Sequence, residues 1–255
     1  MQLTHPFSRP ALPHIENYHT ISTQYFILKI WMQPQVEIHN FRRNYDQHAL
    51  DGTTLESDPT GEFLKWLEYA HAAPAPHWLE ITAMTLATSD SSGRVSARIV
   101  LLKTVDATGF TFFTNYRSDK AQQLLANPHA ALVFYWPHIE RQVRVEGLVT
   151  YTDSALSDKY FHARPRGSQI SAVISPQSQP LIGREPLEKS AAELAETYSG
   201  DQIIPRPDYW GGYSLKPDRV EFWQGRPNRL HDRFLYSRND ADQPKEAWTI
   251  SRLAP

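Results

Sequence analysis

Three short stretches of this sequence place cations beside small hydroxyls and aromatic rings, the combination that a phosphate attached to a flat ring requires. The first is Arg98-Ile99-Val100-Leu101-Leu102-Lys103, two cations bracketing four apolar residues. An ideal strand points side chains five apart to opposite faces, so either a bulge separates Arg98 from Lys103 or Lys103 leaves the strand end and turns back. The second is Tyr160-Phe161-His162-Ala163-Arg164-Pro165-Arg166-Gly167-Ser168, where Tyr160 and Arg164 stand i,i+4 on one helix face. The Ser168 hydroxyl is expected to arrive from the following loop. The third runs from Glu221 to Arg233; if residues 229–233 are extended, Arg229, His231 and Arg233 share one side, and Leu230 and Asp232 the other. Adjacent cationic or ionisable groups repel unless an anion sits among them. Without a ligand the same stretches describe an amphipathic strand with charged ends, a solvated helix end and a loop with cations fanned into water.

The elements that must position these groups are mostly strands. Pro59 starts a helix carrying Phe63, Leu64, Leu67 and Ala70 on one side, and Pro74 and Pro76 stop it. Strand signals follow at 81–88 and 95–103 around a Ser91-Ser92-Gly93 turn, then at 110–115, 130–136 and 141–151. Ser118 caps a short helix ending at Asn127-Pro128, Asp153 caps one through about Ala163, and a third covers 186–198. The tail returns to strands at 220–224, 233–237 and 248–253. About seven strands with short turns predict a mostly β, antiparallel barrel or sandwich with flanking helices rather than βαβ units.

Composition narrows the function. The 255 residues carry 26 Lys+Arg against 28 Asp+Glu, a formal charge of −2, which excludes a bulk electrostatic grip on nucleic acid or an anionic membrane. No apolar run approaches the roughly 18 residues of a membrane span. With no cysteine, disulfides, cysteine-ligated zinc, iron–sulfur clusters and thiol nucleophiles all drop out, and the scattered histidines offer no metal motif. His138-Ile139-Glu140 has the H-x-E spacing of zinc deaminases without their cysteines, and is read as a strand edge. There is no G-x-G-x-x-G, P-loop or G-x-S-x-G, so any bound phosphate must be held by side chains. Residues 1–36 hold one acid, Glu16, and two strong bases, Arg9 and Lys29, without periodicity; residues 1–38 are read as an unpatterned extension. The scarcity of acids allows a mitochondrial transit peptide, but such peptides are richer in arginine and amphipathic, so that reading is not favoured and a cytoplasmic protein is expected.

RIVLLK at 98–103, FFTN at 112–115, RQVRVEG at 141–147, YFHARPRGSQI at 160–170, WGGY at 210–213, EFWQG at 221–225, RLHDRF at 229–234 and RLAP at 252–255 strongly resemble the pyridoxamine 5′-phosphate oxidase family, in order, from about residue 40 to the end. The resemblance implies an FMN-binding split β-barrel over residues 39–255, with a C-terminal dimerisation region and FMN at the interface of a homodimer. It implies oxidation of pyridoxamine or pyridoxine 5′-phosphate by O2 to pyridoxal 5′-phosphate, with H2O2 released, a step of vitamin B6 biosynthesis and salvage. Carried across, the family's FMN contacts fall on Arg98, Ile99, Val100, Leu101, Leu102, Lys103, Phe113, Thr114, Lys120, Gln142, Gln177, Ser178, Trp223 and Arg233. Its substrate contacts fall on Lys103, Tyr160, Arg164, Ser168, Arg229, Leu230 and His231, with Arg42 and Tyr45 on an N-terminal arm. Arg229 is expected over the reacting carbon as a catalytic residue, with His231 orienting the substrate. One position departs: the family usually reads Ser-Arg-Lys where this chain has Ser118-Asp119-Lys120, so weaker FMN binding is expected. A non-catalytic carrier or sensor of FMN or pyridoxal phosphate is the rival, against which Tyr160, Arg164 and Ser168 together speak; a flavin-dependent reductase is second, and the RLHDRF and HARPRGS stretches speak against it.

Overall fold

Pro59 opens α1 (Pro59–Ala72), where a missing N–H is no loss, and Ala73 beyond its end is extended, as the residue before Pro74 must be. The helix plugs the hollow of a curled sheet. Its buried stripe is Phe63, Trp66 and Ala70, and Leu64, expected on that side, is 44% exposed. Phe63 lies 4.8 Å from both Phe110 and Phe134 and 6.0 Å from Trp136, and Trp66 lies 5.1 Å from Phe222. These rings are the centre of the main core. The structure, a computed structural model, describes residues 44–238 and 248–255. The extension expected over residues 1–38, and Arg42, lie outside the described residues.

Among the described residues nine strands form one sheet: β1 (Ala83–Ser89), β2 (Val95–Leu101), β3 (Thr104–Asp106), β4 (Gly109–Asn115), β5 (His129–Trp136), β6 (Arg141–Tyr151), β7 (Trp210–Gln224), β8 (Asp232–Ser237) and β9 (Thr249–Arg252). Every pairing is antiparallel, in the order β2-β1-β5-β6-β7-β4-β3, with β8 also on β7 and β9 on β8. The mostly β, antiparallel expectation holds. Residues 95–103 are not one strand: β2 ends at Leu101, and Lys103 turns back to donate its N–H to Thr111 O at 2.8 Å. That settles the alternatives for Arg98 and Lys103 without a bulge. His138-Ile139-Glu140 forms a turn, not a strand edge, with Glu140 in the left-handed region at φ 57°.

β7 is ten residues longer at its start than the strand expected at 220–224, because Pro217 and the paired glycines hide it. The chain accommodates Pro217 at a register shift opposite Glu146 and Gly147. Gly147 is required there, since a Cβ would sit 2.1 Å from Lys216 O. β6 pairs along most of β7, whereas β4 takes its first part (210–215) and β8 its last (219–224).

Among the described residues four further helices surround the sheet: α2 (Asp119–Ala126), α3 (Ser154–Ala163), α4 (Arg166–Ile174) and α5 (Glu185–Thr197). Asp153 caps α3 by accepting from Ala155 N–H. α4 is absent from the sequence expectation because Pro165 and Gly167 suggest a loop; Pro165 instead sits at the N-cap, so Ser168 is helical. Phe161, Ile170, Ala172, Ile204 and Trp210 make a second, smaller core under these helices.

Candidate active site

A cavity of about 490 Å³ opens where the second core meets β2 and β4. Its wall contains Arg98, Ile99, Val100, Leu101 and Lys103 from β2 and its end, Phe113 and Thr114 from β4, Lys120 from α2, Gln177 from the loop after α4, and Tyr160, Arg164 and Ser168 from α3 and α4. Two of the three stretches singled out in the sequence therefore meet. Leu102 does not join them: it is 4% exposed and packed in the main core. Trp210 also lines the cavity, and its place before the Gly-Gly of β7 was its only sequence signal. It stacks nearly parallel to Tyr160 (8°) and Phe113 (14°), while Phe113 and Tyr160 stack at 4.1 Å. Such a wall suits a flat ligand.

Two groups of cations face this cavity. In one, Lys120 Nζ donates to Gln177 Oε1 at 2.7 Å, Ser118 Oγ at 3.1 Å and Thr114 Oγ1 at 3.3 Å. Burial, and then the charge of Arg98, push the Lys120 pKa down to about 8, with Asp119 opposing. Burial also lowers Arg98. In the other group, Lys103 Nζ stands 6.0 Å from the Tyr160 ring and Arg164 lies over Trp210 at 4.7 Å. Arg164 Nη1 is buried with no hydrogen-bond partner among the described residues. An orphaned guanidinium donor and an ammonium with a depressed pKa are what a site built for anions leaves behind when only protein is counted. Ser178, also expected here, is in the left-handed region at φ 72° and accepts from Asp119 N–H at the start of α2.

The third stretch lies elsewhere. Cross-strand pairing aligns Tyr135, Gln142, Trp223 and Arg233 in one row across β5, β6, β7 and β8. Their neighbours Phe134, Val143, Phe222 and Phe234 are buried, so this row is on the outer face. Residues 229–231 are not extended as supposed: Pro227–Arg229 is a single 3-10 turn with Asn228 and Arg229 at φ 57° and 62°. Arg233 Nε donates to Glu221 at 2.8 Å, which raises its pKa. His231 Nδ1 accepts from Arg226 N–H at 3.0 Å, fixing Nδ1 as the acceptor, so the neutral ring carries its proton on Nε2. Burial and Arg229 hold its pKa below the ordinary value. Tyr45 packs edge-on to both Trp223 and His231, over Gly225, where a side chain would strike it. Phe113 is level with Gly212 and Gln142 with Trp223, eleven positions apart on β7. That is on the order of 30 Å along the strand, too far for one mononucleotide to touch both in one chain.

Residues 74–198 match the family model described as pyridoxamine 5′-phosphate oxidase, and residues 210–255 that of the pyridoxine 5′-phosphate oxidase C-terminal dimerisation region. The pyridoxine/pyridoxamine 5′-phosphate oxidase of Burkholderia vietnamiensis is 50% identical over 216 residues, spanning 85% of this chain and 98% of that one. The chain belongs to the pyridoxine/pyridoxamine 5′-phosphate oxidase family. Solved structures share the fold. PhzG from Burkholderia lata, solved with tetrahydrophenazine-1-carboxylic acid, superposes with a TM-score of 0.73 at 30% identity, over 81% of this chain and 98% of that one. A pyridoxamine 5′-phosphate oxidase-related, FMN-binding protein from Nostoc punctiforme gives 0.59 at 19% identity, over 82% and 100%. Among the described residues no helix is long and apolar enough to cross a membrane.

The Lys120 pKa has a testable sign. In the folded chain it lies below the unfolded value, so this group lowers stability below about pH 8, and the penalty lifts as pH rises towards the ordinary lysine value. A phosphate monoester bound beside Lys120 favours the ammonium. Binding above about pH 8 should therefore take up protons, and affinity should fall as pH rises through that value. Calorimetry in buffers of different ionisation heat checks this, and Lys120→Met should abolish the uptake.

Proposed function

We propose that this chain is an FMN-dependent oxidase converting pyridoxamine 5′-phosphate and pyridoxine 5′-phosphate to pyridoxal 5′-phosphate, with O2 reduced to H2O2 and ammonia released from the amine. The observation that carries this reading is one cavity walled by aromatic rings and by two separate groups of cations, matching two phosphates and two flat rings. Residues present fit FMN: Arg98, Lys120 and Ser178 would hold its phosphate, with Thr114 and Gln177 alongside. Bound FMN would accept a hydride equivalent from the 4′-carbon of the substrate and deliver the electrons to O2.

The rest is positioning by this chain. Lys103, Arg164 and Ser168 neutralise and orient the substrate phosphate, and Tyr160 stacks in the wall behind it. Arg229, Leu230 and His231 close over the other ring face, with Arg229 at the reacting carbon and the His231 Nε2–H donating to the substrate. Because they lie with Gln142, Trp223 and Arg233 at the far end of β7, they are assigned to the site of a second copy, making a cytoplasmic homodimer with FMN at the interface. The dimerisation-region match over 210–255 supports this, as do Val95, Ile99 and Leu101, apolar yet exposed on the edge strand β2. Asp119 adds a negative charge beside Arg98 and Lys120 and weakens the grip on the FMN phosphate.

Aerobic incubation of the FMN-loaded protein with pyridoxine 5′-phosphate should yield pyridoxal phosphate absorbance and peroxide together. FMN bound without turnover would favour a carrier. Arg229→Ala should cut turnover about a hundredfold while leaving FMN content intact; unchanged turnover refutes its role. Asp119→Arg should tighten FMN by about tenfold in a fluorescence titration, the scale of one charge-assisted hydrogen bond.

A further inference from the structure

We propose that Gln123, which does not line the cavity, is a positioning residue that aims the Arg98 guanidinium at the flavin phosphate and so sets how tightly this chain holds its cofactor. The inference rests on the flavin reading above. Arg98 stands on the edge strand β2, where a long side chain has many rotamers open to it. Its direction is set from behind. Nη1 donates to Leu86 O at 3.3 Å and to the Thr88 hydroxyl, and Nη2 donates to Gln123 Oε1 at 3.3 Å.

Gln123 closes this network. Its Oε1 also accepts from Thr88 Oγ1 at 2.5 Å, and its amide nitrogen donates to Ser96 Oγ at 3.0 Å. The donor-only guanidinium fixes which end of the carboxamide meets it, because a flipped amide would set N–H groups against N–H groups, and the Ser96 hydroxyl then accepts from the amide nitrogen. Three of the five guanidinium N–H donors are thereby used, and two remain for a ligand. The chemistry of the partner matters as much as its place. A carboxylate at 123 would neutralise Arg98, whereas a neutral carboxamide orients the cation and leaves its charge for the phosphate. Thr88, 2% exposed, is held between the two side chains and transmits the constraint.

The test separates phosphate aiming from general loosening of the fold. Apo-protein carrying Gln123→Leu is titrated with FMN and with riboflavin, which lacks the phosphate, by flavin fluorescence. FMN affinity should fall about tenfold and riboflavin affinity should stay within about twofold. Thr88→Val, nearly the same shape, should act in the same direction. In an Arg98→Ala background Gln123→Leu should add nothing, since its effect passes through Arg98. Equal weakening of both flavins, no weakening of FMN, or a further loss on top of Arg98→Ala overturns the positioning role. Wild-type protein that binds no flavin overturns the flavin reading itself, a result distinct from these three.

Discussion

The backbone ladder of β7 is the constraint on which the rest of the molecule depends. One 15-residue strand gives hydrogen bonds to β6 on one edge and to β4 and β8 in succession on the other. Sharing an edge this way holds two halves of the sheet in fixed relation without a separate linker. The first half carries Phe113 and Trp210 to the cavity, and the second carries Trp223 and the 3-10 turn with Arg229. The register shift at Pro217 lies between them, so the strand bends where the two halves meet.

Charge placement follows from that frame. The chain as a whole is close to neutral, yet the cavity concentrates cations whose protein partners are mostly neutral hydroxyls and carboxamides. Glu221, by contrast, is buried and pairs with both Arg144 and Arg233, so carboxylates are used freely on the outer face. Pairing with carboxylates quenches a cation; bonding to amides and hydroxyls orients it and leaves the field intact. The depressed Lys120 pKa is the cost of leaving that field unquenched in a desolvated place.

Much of this was legible in the sequence, for identifiable reasons. β6 matches its expected bounds because its alternation is regular, and α1 because proline marks both ends. The first two cationic stretches converge as the chemistry of their side chains suggests. What stayed hidden depends on contacts far apart in sequence. β7 is masked by Pro217, tolerable only through a register shift that needs Gly147 on the neighbouring strand. Leu64 loses its place to Trp66 because an aromatic partner, Phe222, waits 156 residues later in the chain. The idea of extended residues at 229–233 fails because period-two reasoning cannot foresee two consecutive left-handed residues. Gln123 carries no motif, and only its three side-chain bonds, to Thr88, Arg98 and Ser96, distinguish it from an ordinary helix-surface glutamine.

Those two left-handed residues, Asn228 and Arg229, have a consequence in time. Non-glycine residues in this region cost on the order of 1–3 kcal/mol each, less for asparagine, and the surrounding structure must hold them there. Here Pro227 restricts the turn from one side, and the bond from Arg226 N–H to His231 closes it from the other. For an arginine proposed to meet the reacting carbon, that cost is incurred once, when the chain folds. Each encounter with substrate then begins with the side chain's backbone already fixed, so the ordering entropy that a floppy loop would lose on every cycle is absent from the barrier.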